Sequence, residues 1–280
     1  LFEDAAEYGF GILNSFNNLQ NRIKKELFRI NNEDTKYLLE LLESNDYDKI
    51  KSELPKFKKY IKEDLLSFVT PKSVWTIGGD GWAYDIGFGG LDHVASSNEK
   101  VRILVLDTEV YSNTGGQSSK SSHLGQVCEF ASGGKKTSKK DLFKIAMSYP
   151  NIYVGSISLG GNFMQAIKTI KEAEEHDGPS IIIAYCPCIE QGIKGGMSNS
   201  IKEEALAVDS GYVLLMRYKD NKLYLDSKEP NFDKYDEFLS NEVRYNALKI
   251  KDIKKANELL AINKEIAVQR YNYYKEISNK

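Results

Sequence analysis

The sequence predicts an α/β fold, in which helices flank a parallel sheet, with a helical segment before the sheet and a hairpin and long helix after it. Four short runs rich in β-branched residues lie between residues 73 and 187: SVWTI, RILVLD, IYVGSISL and SIIIAYCP. Each is followed by a loop that contains glycine, and amphipathic helical patterns such as DLFKIAMSY and NFMQAIKTIKEAEEH separate them. Apolar strands that alternate with such helices are typical of βαβ units, whose parallel sheet is covered on both faces.

Residues 1–70 are predicted to form a helical segment that packs on the sheet domain. The stretch AAEYGFGILNSFNNLQNRIKKEL has apolar residues at helical spacing, and residues 31–34 (NNED) suit a break and a cap before the helix TKYLLELLES. Pro55 and Pro71 lie on either side of the next helix. The segment is rich in Lys and Glu, and it offers no pattern that indicates chemistry.

The rest of the chain is predicted to divide into an α/β core at 71–211 and an extension at 212–280. In the extension, YVLLMRYKDNKLYLDSKEP suggests two strands, and the pair Asp220-Asn221 suits the turn between them. A long polar helix over about 252–276 closes the chain.

Composition excludes several classes of protein. The formal net charge of −2 over 280 residues favours neither a nucleic-acid surface nor a membrane surface. Apolar runs stay shorter than the roughly 18 residues of a membrane span, and no signal peptide is visible. The three cysteines, Cys128, Cys186 and Cys188, argue against a disulfide framework and for the cytoplasm or another reducing compartment.

Two polar loops follow the first two predicted strands. The loop GGDGWAYDIG contains Asp80, and the loop DTEVYSNTGG contains Thr108, 28 residues later. This spacing is about one strand–helix–strand step, and ligands bind beyond the carboxyl ends of strands in open parallel sheets, so the loops should be neighbours. Gly79 and Gly81 would let backbone amides approach a phosphate, while Asp80, Thr108 and a nearby carbonyl would offer hard oxygens to Mg²⁺. A plain tight turn is the alternative, whereas the sequence fits neither a dinucleotide nor a P-loop motif.

Five segments of the sequence resemble the C-terminal thiamin-diphosphate (ThDP) domain of the pyruvate:ferredoxin (flavodoxin) oxidoreductase family. They are SVWTIGGDGWAYDIGFGGLDHV, ILVLDTEVYSNTGGQSSKSS, IIIAYCPCIEQGI, LDSKEP and NEVRY. The resemblance covers essentially the whole chain, and it implies the ThDP-binding version of the α/β fold.

The resemblance implies oxidative decarboxylation of pyruvate with coenzyme A to acetyl-CoA and CO₂. Electrons would pass singly through [4Fe–4S] clusters to ferredoxin, flavodoxin or a fused reductase domain. It also implies that Asp80, Thr108 and the carbonyl of Val110 bind Mg²⁺, with Thr108 in the place of the usual metal-binding Asn. Asn113 would be the catalytic residue that reaches pyruvate and the thiazolium. The implied cofactor-binding residues are Gly79, Asp80, Gly81, Trp82, Thr108, Glu109, Val110, Tyr111, Ser112 and Asn113.

Cys188 is implied to be one ligand of a [4Fe–4S] cluster. From spacing alone, Cys186 and Cys188 suit small buried residues at a strand end, because two cysteines cannot complete a four-thiolate cage. Cys186 does not align with a ligand, and Cys128 is predicted to be structural. The other ligands would lie outside residues 1–280, so we expect a piece of a larger homodimeric enzyme that needs its remaining domains for activity.

Other patterns leave alternatives open. The loop GGKKTSKKD, at 133–141, indicates a solvated cationic surface, or else a docking patch for an acidic electron carrier. His93, His123 and His176 match no metal spacing. A different ThDP-dependent 2-oxoacid oxidoreductase or decarboxylase, or a non-catalytic docking module of an electron-transfer assembly, are the competing functions.

Overall fold

The computed structural model describes residues 6–279, which form two compact units. One unit comprises Tyr8–Val74, and the other contains Trp75 and the residues that follow it. The domain boundaries that we inferred from the sequence stay predictions.

The first unit is a helical layer around its own apolar core. Its helices are α1 (Ala6–Ile30), α2 (Glu33–Ser44), α3 (Tyr47–Ser52) and α4 (Leu54–Phe57), followed by a 3₁₀ turn at Glu63–Phe68. The core residues are Ile23, Leu27, Leu38, Leu41, Leu42, Ile50, Phe57, Ile61, Leu65 and Val69. Asn32 caps α2, because its side chain accepts from the Thr35 amide at 2.8 Å while the Thr35 hydroxyl accepts from the Asn32 amide at 3.0 Å. The predicted break at 31–34 is confirmed.

The second unit is a mixed sheet of six strands flanked by helices. The strands are β1 (Val74–Gly78), β2 (Val101–Asp107), β3 (Tyr153–Ile157), β4 (Ser180–Tyr185), β5 (Met216–Lys219) and β6 (Lys222–Leu225). The helices are α5 (Asp80–Tyr84), α6 (Phe88–Ser96), α7 (Leu142–Ala146), α8 (Phe163–Glu175), α9 (Ser200–Asp209), α10 (Tyr235–Asn241), α11 (Val243–Lys251) and α12 (Ile253–Ser278). Two 3₁₀ turns lie at Met197–Asn199 and Phe232–Lys234.

The centre of the sheet is parallel, as the sequence predicted. The strand order is β1-β2-β4-β3-β5-β6, and β4 pairs in parallel with β2 on one side and β3 on the other. Ile181 of β4 lies opposite Ile103 and Val154. All six residues of β4 are buried, which is expected of a parallel strand that is covered on both faces.

The predicted hairpin is confirmed, and it extends the sheet. β5 pairs antiparallel with β6 and, on its other side, with β3, where Met216 lies opposite Ser156. Asp220 and Asn221 connect the strands with φ angles of 52° and 59°, the left-handed pair that a tight hairpin of this twist requires. The sheet is therefore mixed, because the hairpin adds an antiparallel edge to the parallel centre.

The closing helix, α12, agrees with the predicted long helix. Asp252 caps it by accepting a hydrogen bond from the Lys255 amide at 3.1 Å. Neither α12 nor any other helix in the described part of the chain is long and apolar enough to cross a membrane.

Candidate functional site

The two polar loops meet at the ends of β1 and β2, as the sequence predicted. Gly79 follows β1 and precedes α5, while Thr108 directly follows β2. The Thr108 amide donates to Oδ1 of Asp80 at 3.2 Å. The topology of adjacent strands therefore places the carboxylate from one loop against the backbone of the other.

Three oxygen-bearing groups gather at this contact. The Thr108 hydroxyl donates to the Val110 carbonyl at 3.0 Å, and the Ser112 hydroxyl donates to Thr108 Oγ1 at 2.9 Å. Together with Asp80, these groups form a set of hard oxygens that we call the oxygen cluster: the carboxylate of Asp80, the hydroxyls of Thr108 and Ser112, and the carbonyl of Val110.

Asp80 is a buried carboxylate whose hydrogen-bond donors carry no charge. Its side chain is 3% exposed, and Oδ2 accepts from the hydroxyls of Ser119, at 3.0 Å, and Ser121. Burial, helped by the negative charge of Asp107, raises the pKa of Asp80 to about 8. A buried carboxylate without a cationic donor is the environment that a bound cation would stabilise. We did not predict the two serines, although the run SSKSS beside the second loop was a visible signal.

The glycines around Asp80 have different environments. A Cβ on Gly78 would collide with the indole of Trp82, so Gly78 is required for packing. A Cβ on Gly79 would meet no atom within 4 Å, so the space beside this residue is open. Gly81 and Trp82 are buried in α5, and Nε1 of Trp82 has no hydrogen-bond partner among the residues that the structure describes.

Glu109 is buried away from the oxygen cluster, in a set of polar residues that we call the Glu109 cluster: Glu109, His123, Lys139, Tyr212 and Arg244. Oε1 accepts from Lys139 at 2.9 Å and lies 3.0 Å from His123 Nε2. Oε2 accepts from Tyr212 and Arg244, each at 2.6 Å. Although burial opposes ionisation, Lys139 and Arg244 hold the pKa of Glu109 well below its usual value. Burial lowers the pKa of His123 to about 4.

Three of the four lysines in the loop at 133–141 contact other parts of the chain, and Lys136 is exposed. Lys139 bridges Asp107 and Glu109, and Lys135 donates to the backbone carbonyls of Ser119 and Ser122. Lys140 donates to the Tyr84 carbonyl at 3.1 Å and lies over the ring of Phe88. The prediction of a solvated cationic surface is wrong for these three lysines, because their ammonium groups find partners in other parts of the chain.

Asn113 lies at the exposed tip of a turn. The turn is closed by the Tyr111 amide, which donates to the Gln117 carbonyl at 2.9 Å, and by the Gly116 amide, which donates to the Tyr111 carbonyl at 2.8 Å. Tyr111 is partly buried at the base of this turn. Asn113 is thus five residues beyond Thr108 on a segment that is continuous with the oxygen cluster.

Cys188 lies beside the oxygen cluster, whereas the other two thiols do not. Its Sγ contacts Ser112 Oγ at 3.2 Å. Cys186 packs against a core at the end of β4, and burial raises its pKa to about 12. Cys128 is in a different loop, and burial raises the pKa of its thiol as well. Within residues 6–279, no group of three or more His, Cys, Asp and Glu side chains could hold a metal ion.

A cavity of about 400 Å³ lies on the Glu109 side of the second loop. Its lining includes Glu109, Lys139, Tyr212 and Arg270, but it does not include Asp80, Thr108 or Val110. The cavity is therefore separate from the oxygen cluster, although both adjoin the same loop.

Comparison with known proteins shows what this chain is similar to. Residues 66–184 match the family described as "Thiamine pyrophosphate enzyme, C-terminal TPP binding domain". The chain is 41% identical to pyruvate:ferredoxin oxidoreductase of Moorella thermoacetica and 39% identical to pyruvate-flavodoxin oxidoreductase of Klebsiella pneumoniae, over 99% of this chain and 26% of each relative. Over nearly its whole length, this chain is similar to the TPP-binding region of pyruvate:ferredoxin/flavodoxin oxidoreductases. The resemblance seen in the sequence is confirmed.

The similarity to these oxidoreductases covers one region of much longer proteins. The chain spans about a quarter of the length of the curated relatives reported above. It is also 40% identical to the mitochondrial pyruvate dehydrogenase [NADP(+)] of Euglena gracilis, over 99% of this chain and 17% of that protein. A solved 2-oxoglutarate:ferredoxin oxidoreductase from Magnetococcus marinus is 22% identical, with a TM-score of 0.40 over 64% of this chain and 67% of that one, a likeness too low to carry weight. The match to a TPP-binding domain supports ThDP as a ligand.

Proposed function

We propose that this chain is the ThDP- and Mg²⁺-binding module of an enzyme that oxidatively decarboxylates pyruvate with coenzyme A to acetyl-CoA and CO₂. The observation that carries the proposal is the oxygen cluster, where Asp80, Thr108 and Val110 meet at the ends of two adjacent strands. Two relatives that match nearly the whole chain have names that combine pyruvate with ferredoxin or flavodoxin. We infer that the module works with the remaining domains of a homodimeric enzyme, in the cytoplasm or another reducing compartment.

The donor set of the oxygen cluster fits Mg²⁺. This ion prefers a few protein oxygens at octahedral positions, completed by phosphate oxygens and water. The Asp80 carboxylate would supply the charge, and the Thr108 hydroxyl and Val110 carbonyl would supply two neutral oxygens. The hydrogen bonds among these groups keep them close together before any ion binds.

The first loop offers groups that suit a diphosphate. Gly79 leaves open space where a side chain would stand, so a ligand can approach the backbone there. The buried indole N–H of Trp82 is a donor that a phosphate oxygen could satisfy. We therefore propose that Gly79, Gly81 and Trp82 contact the diphosphate or its surroundings, while Tyr111 and Ser112 shape the opposite wall.

ThDP, when bound, acts as the electron sink that makes carbon–carbon cleavage of a 2-oxoacid possible. The work left to this chain is to bind the cofactor, to orient it and to present polar groups to the substrate. Asn113 is proposed for the last task, since it is exposed at the tip of the turn that follows the oxygen cluster.

Cys188 is proposed as a single ligand of a [4Fe–4S] cluster. Such a cluster needs four thiolates that converge on one point. Cys186 is partly buried against an apolar core and Cys128 lies in another loop, so the described cysteines do not complete a cluster site. Any cluster at Cys188 would need three ligands from elsewhere.

The proposal can be tested on the intact protein stripped of its cofactors. Equilibrium dialysis with and without Mg²⁺, read by thiochrome fluorescence, should show ThDP binding that depends on the metal. Pyruvate and coenzyme A together should then reduce ferredoxin or flavodoxin and give acetyl-CoA. Absence of ThDP binding would favour the alternative function, a non-catalytic docking module of an electron-transfer assembly. Turnover with a different 2-oxoacid, or CO₂ release without acceptor reduction, would favour the alternative enzymes.

The Asn113→Ala variant should lose turnover while it keeps its cofactor. Loss of a substrate-positioning contact lowers rates by roughly 10- to 100-fold without removing the groups that hold the cofactor. The measurement compares kcat with ThDP content for this variant and for Thr114→Ala, a neighbour that is also exposed in the same turn. A matching loss of turnover and ThDP content in Asn113→Ala would reassign Asn113 to cofactor binding.

A further inference from the structure

Glu109 has an unusual backbone conformation between two proposed metal ligands. Its φ angle is +62°, in the left-handed region that residues with a side chain rarely adopt. Thr108 precedes it and Val110 follows it, and the oxygens of these two neighbours contact each other at 3.0 Å. A strained residue between two functional groups persists only when its surroundings hold it in place, so its contacts show what fixes the segment.

The side chain of Glu109 is fixed at both oxygens. Oε1 contacts Lys139 and His123, while Oε2 contacts Tyr212 and Arg244. Glu109 is 1% exposed, and the Arg244 side chain is equally buried. Charge-assisted hydrogen bonds in such a site are stronger and more directional than those at a surface.

The backbone of Glu109 is fixed as well. Its carbonyl accepts from the Ser122 hydroxyl at 2.6 Å and from the Gln126 side-chain amide at 2.9 Å. Lys139 also pairs with Asp107, the residue before Thr108, so one ammonium group connects the carboxylates on both sides of Thr108. These contacts fix the backbone around Glu109, on either side of which lie the Thr108 hydroxyl and the Val110 carbonyl of the oxygen cluster.

We propose that Glu109 is a positioning residue, which shapes the segment 108–110 so that the Thr108 hydroxyl and the Val110 carbonyl lie beside Asp80. Its carboxylate acts through its neighbours and is held by the other members of the Glu109 cluster. This inference rests on the proposed function, because it concerns the metal and cofactor that the oxygen cluster would bind. It gives Glu109 an indirect role in place of the direct cofactor contact that the resemblance implied.

A purely structural role for the same contacts would affect folding alone. Tyrosine variants separate the two roles, because each removes one buried hydroxyl and leaves the ring. Tyr212→Phe removes the hydrogen bond to Glu109 and a second bond, at 2.8 Å, to Tyr245. Tyr245→Phe removes only that second bond. Tyr235→Phe removes a hydroxyl in the same apolar core that bonds to Asn263 and not to Glu109.

Tyr212→Phe should weaken Mg²⁺-dependent ThDP binding by the intact protein about tenfold, as expected for loss of one hydrogen bond to a charged group. Tyr235→Phe and Tyr245→Phe should bind within about twofold of the wild type. Dialysis gives the dissociation constant of the folded protein, and the melting temperature without cofactor gives the structural effect. Equal affinity in all three variants, or affinities that merely follow the melting temperatures, would overturn the proposal.

Two replacements of Glu109 itself test whether cofactor binding depends on its carboxylate or only on its left-handed backbone angle. Glu109→Gly accepts the left-handed angle without strain but lacks the carboxylate, and Glu109→Gln keeps the size but lacks the charge. Both folded variants should bind ThDP at least about 100-fold more weakly. Wild-type affinity in Glu109→Gly would overturn the proposal, and the tyrosine series decides the question if these variants do not fold. Failure of the wild type to bind ThDP would overturn the proposed function, whereas normal wild-type binding with unaffected variants would overturn this inference alone.

Discussion

An Asp80→Asn variant of the intact protein is expected to lose Mg²⁺-dependent retention of ThDP, with an affinity more than about 100-fold below that of the wild type. Asparagine keeps the size of the side chain and one oxygen, but it removes the charge that the proposed Mg²⁺ site depends on. ThDP content after gel filtration, read by thiochrome fluorescence, measures the effect.

The loss should come from the binding site and not from unfolding. Burial disfavours the ionised carboxylate of Asp80, so a neutral amide should leave the cofactor-free protein at least as stable to heat. Asp85→Asn is the matched control, since Asp85 lies in the same loop and contacts Lys120 instead of the oxygen cluster. Normal ThDP content in Asp80→Asn would show that Asp80 is not a ligand of the metal.

The second large effect is expected at Cys188, where serine should abolish the signal of one [4Fe–4S] cluster in the intact protein. A serine hydroxyl is a poor substitute for the thiolate that iron–sulfur clusters require. EPR of the reduced protein, together with iron analysis, measures the loss. ThDP content should stay normal, which is the reverse of the result expected for Asp80→Asn.

Cys186→Ser provides the control for Cys188→Ser. The two positions are separated by one residue, yet Cys186 packs against an apolar core and the Cys188 thiol contacts Ser112. Cys186→Ser should therefore retain the full cluster signal. An unchanged spectrum in Cys188→Ser would show that this cysteine serves only packing.

Features that depend on neighbours in sequence were predictable. The strands follow from short β-branched runs, and the hairpin follows from the Asp220-Asn221 pair, whose side chains tolerate left-handed backbone angles. The contact between Asp80 and Thr108 was predictable for a different reason. Parallel strands bring their carboxyl ends to one edge of the sheet, so a topological rule sufficed without knowledge of any side-chain packing.

Features that depend on distant partners were not predictable from one sequence. The lysines at 135–140 suggested a solvated surface, because a charge run does not reveal which carbonyls and carboxylates will surround it. Lys139 finds Asp107 and Glu109 about 30 residues away, and Arg244 reaches Glu109 across 135 positions. The antiparallel pairing of β5 with β3 has the same origin, since it joins segments that only the finished fold brings together.

The long separation between Glu109 and Arg244 also sets an order of events during biosynthesis. Residue 109 leaves the ribosome 30 positions before Lys139 and 135 positions before Arg244, its two cationic partners, have been made. At 5–20 residues per second, the gap before Arg244 lasts roughly ten seconds. A carboxylate that lacks one of its two cationic partners is costly to bury, so the loop after β2 should stay hydrated for that time. The segment that would hold the metal is thus completed only after α11, the helix that carries Arg244, has been made.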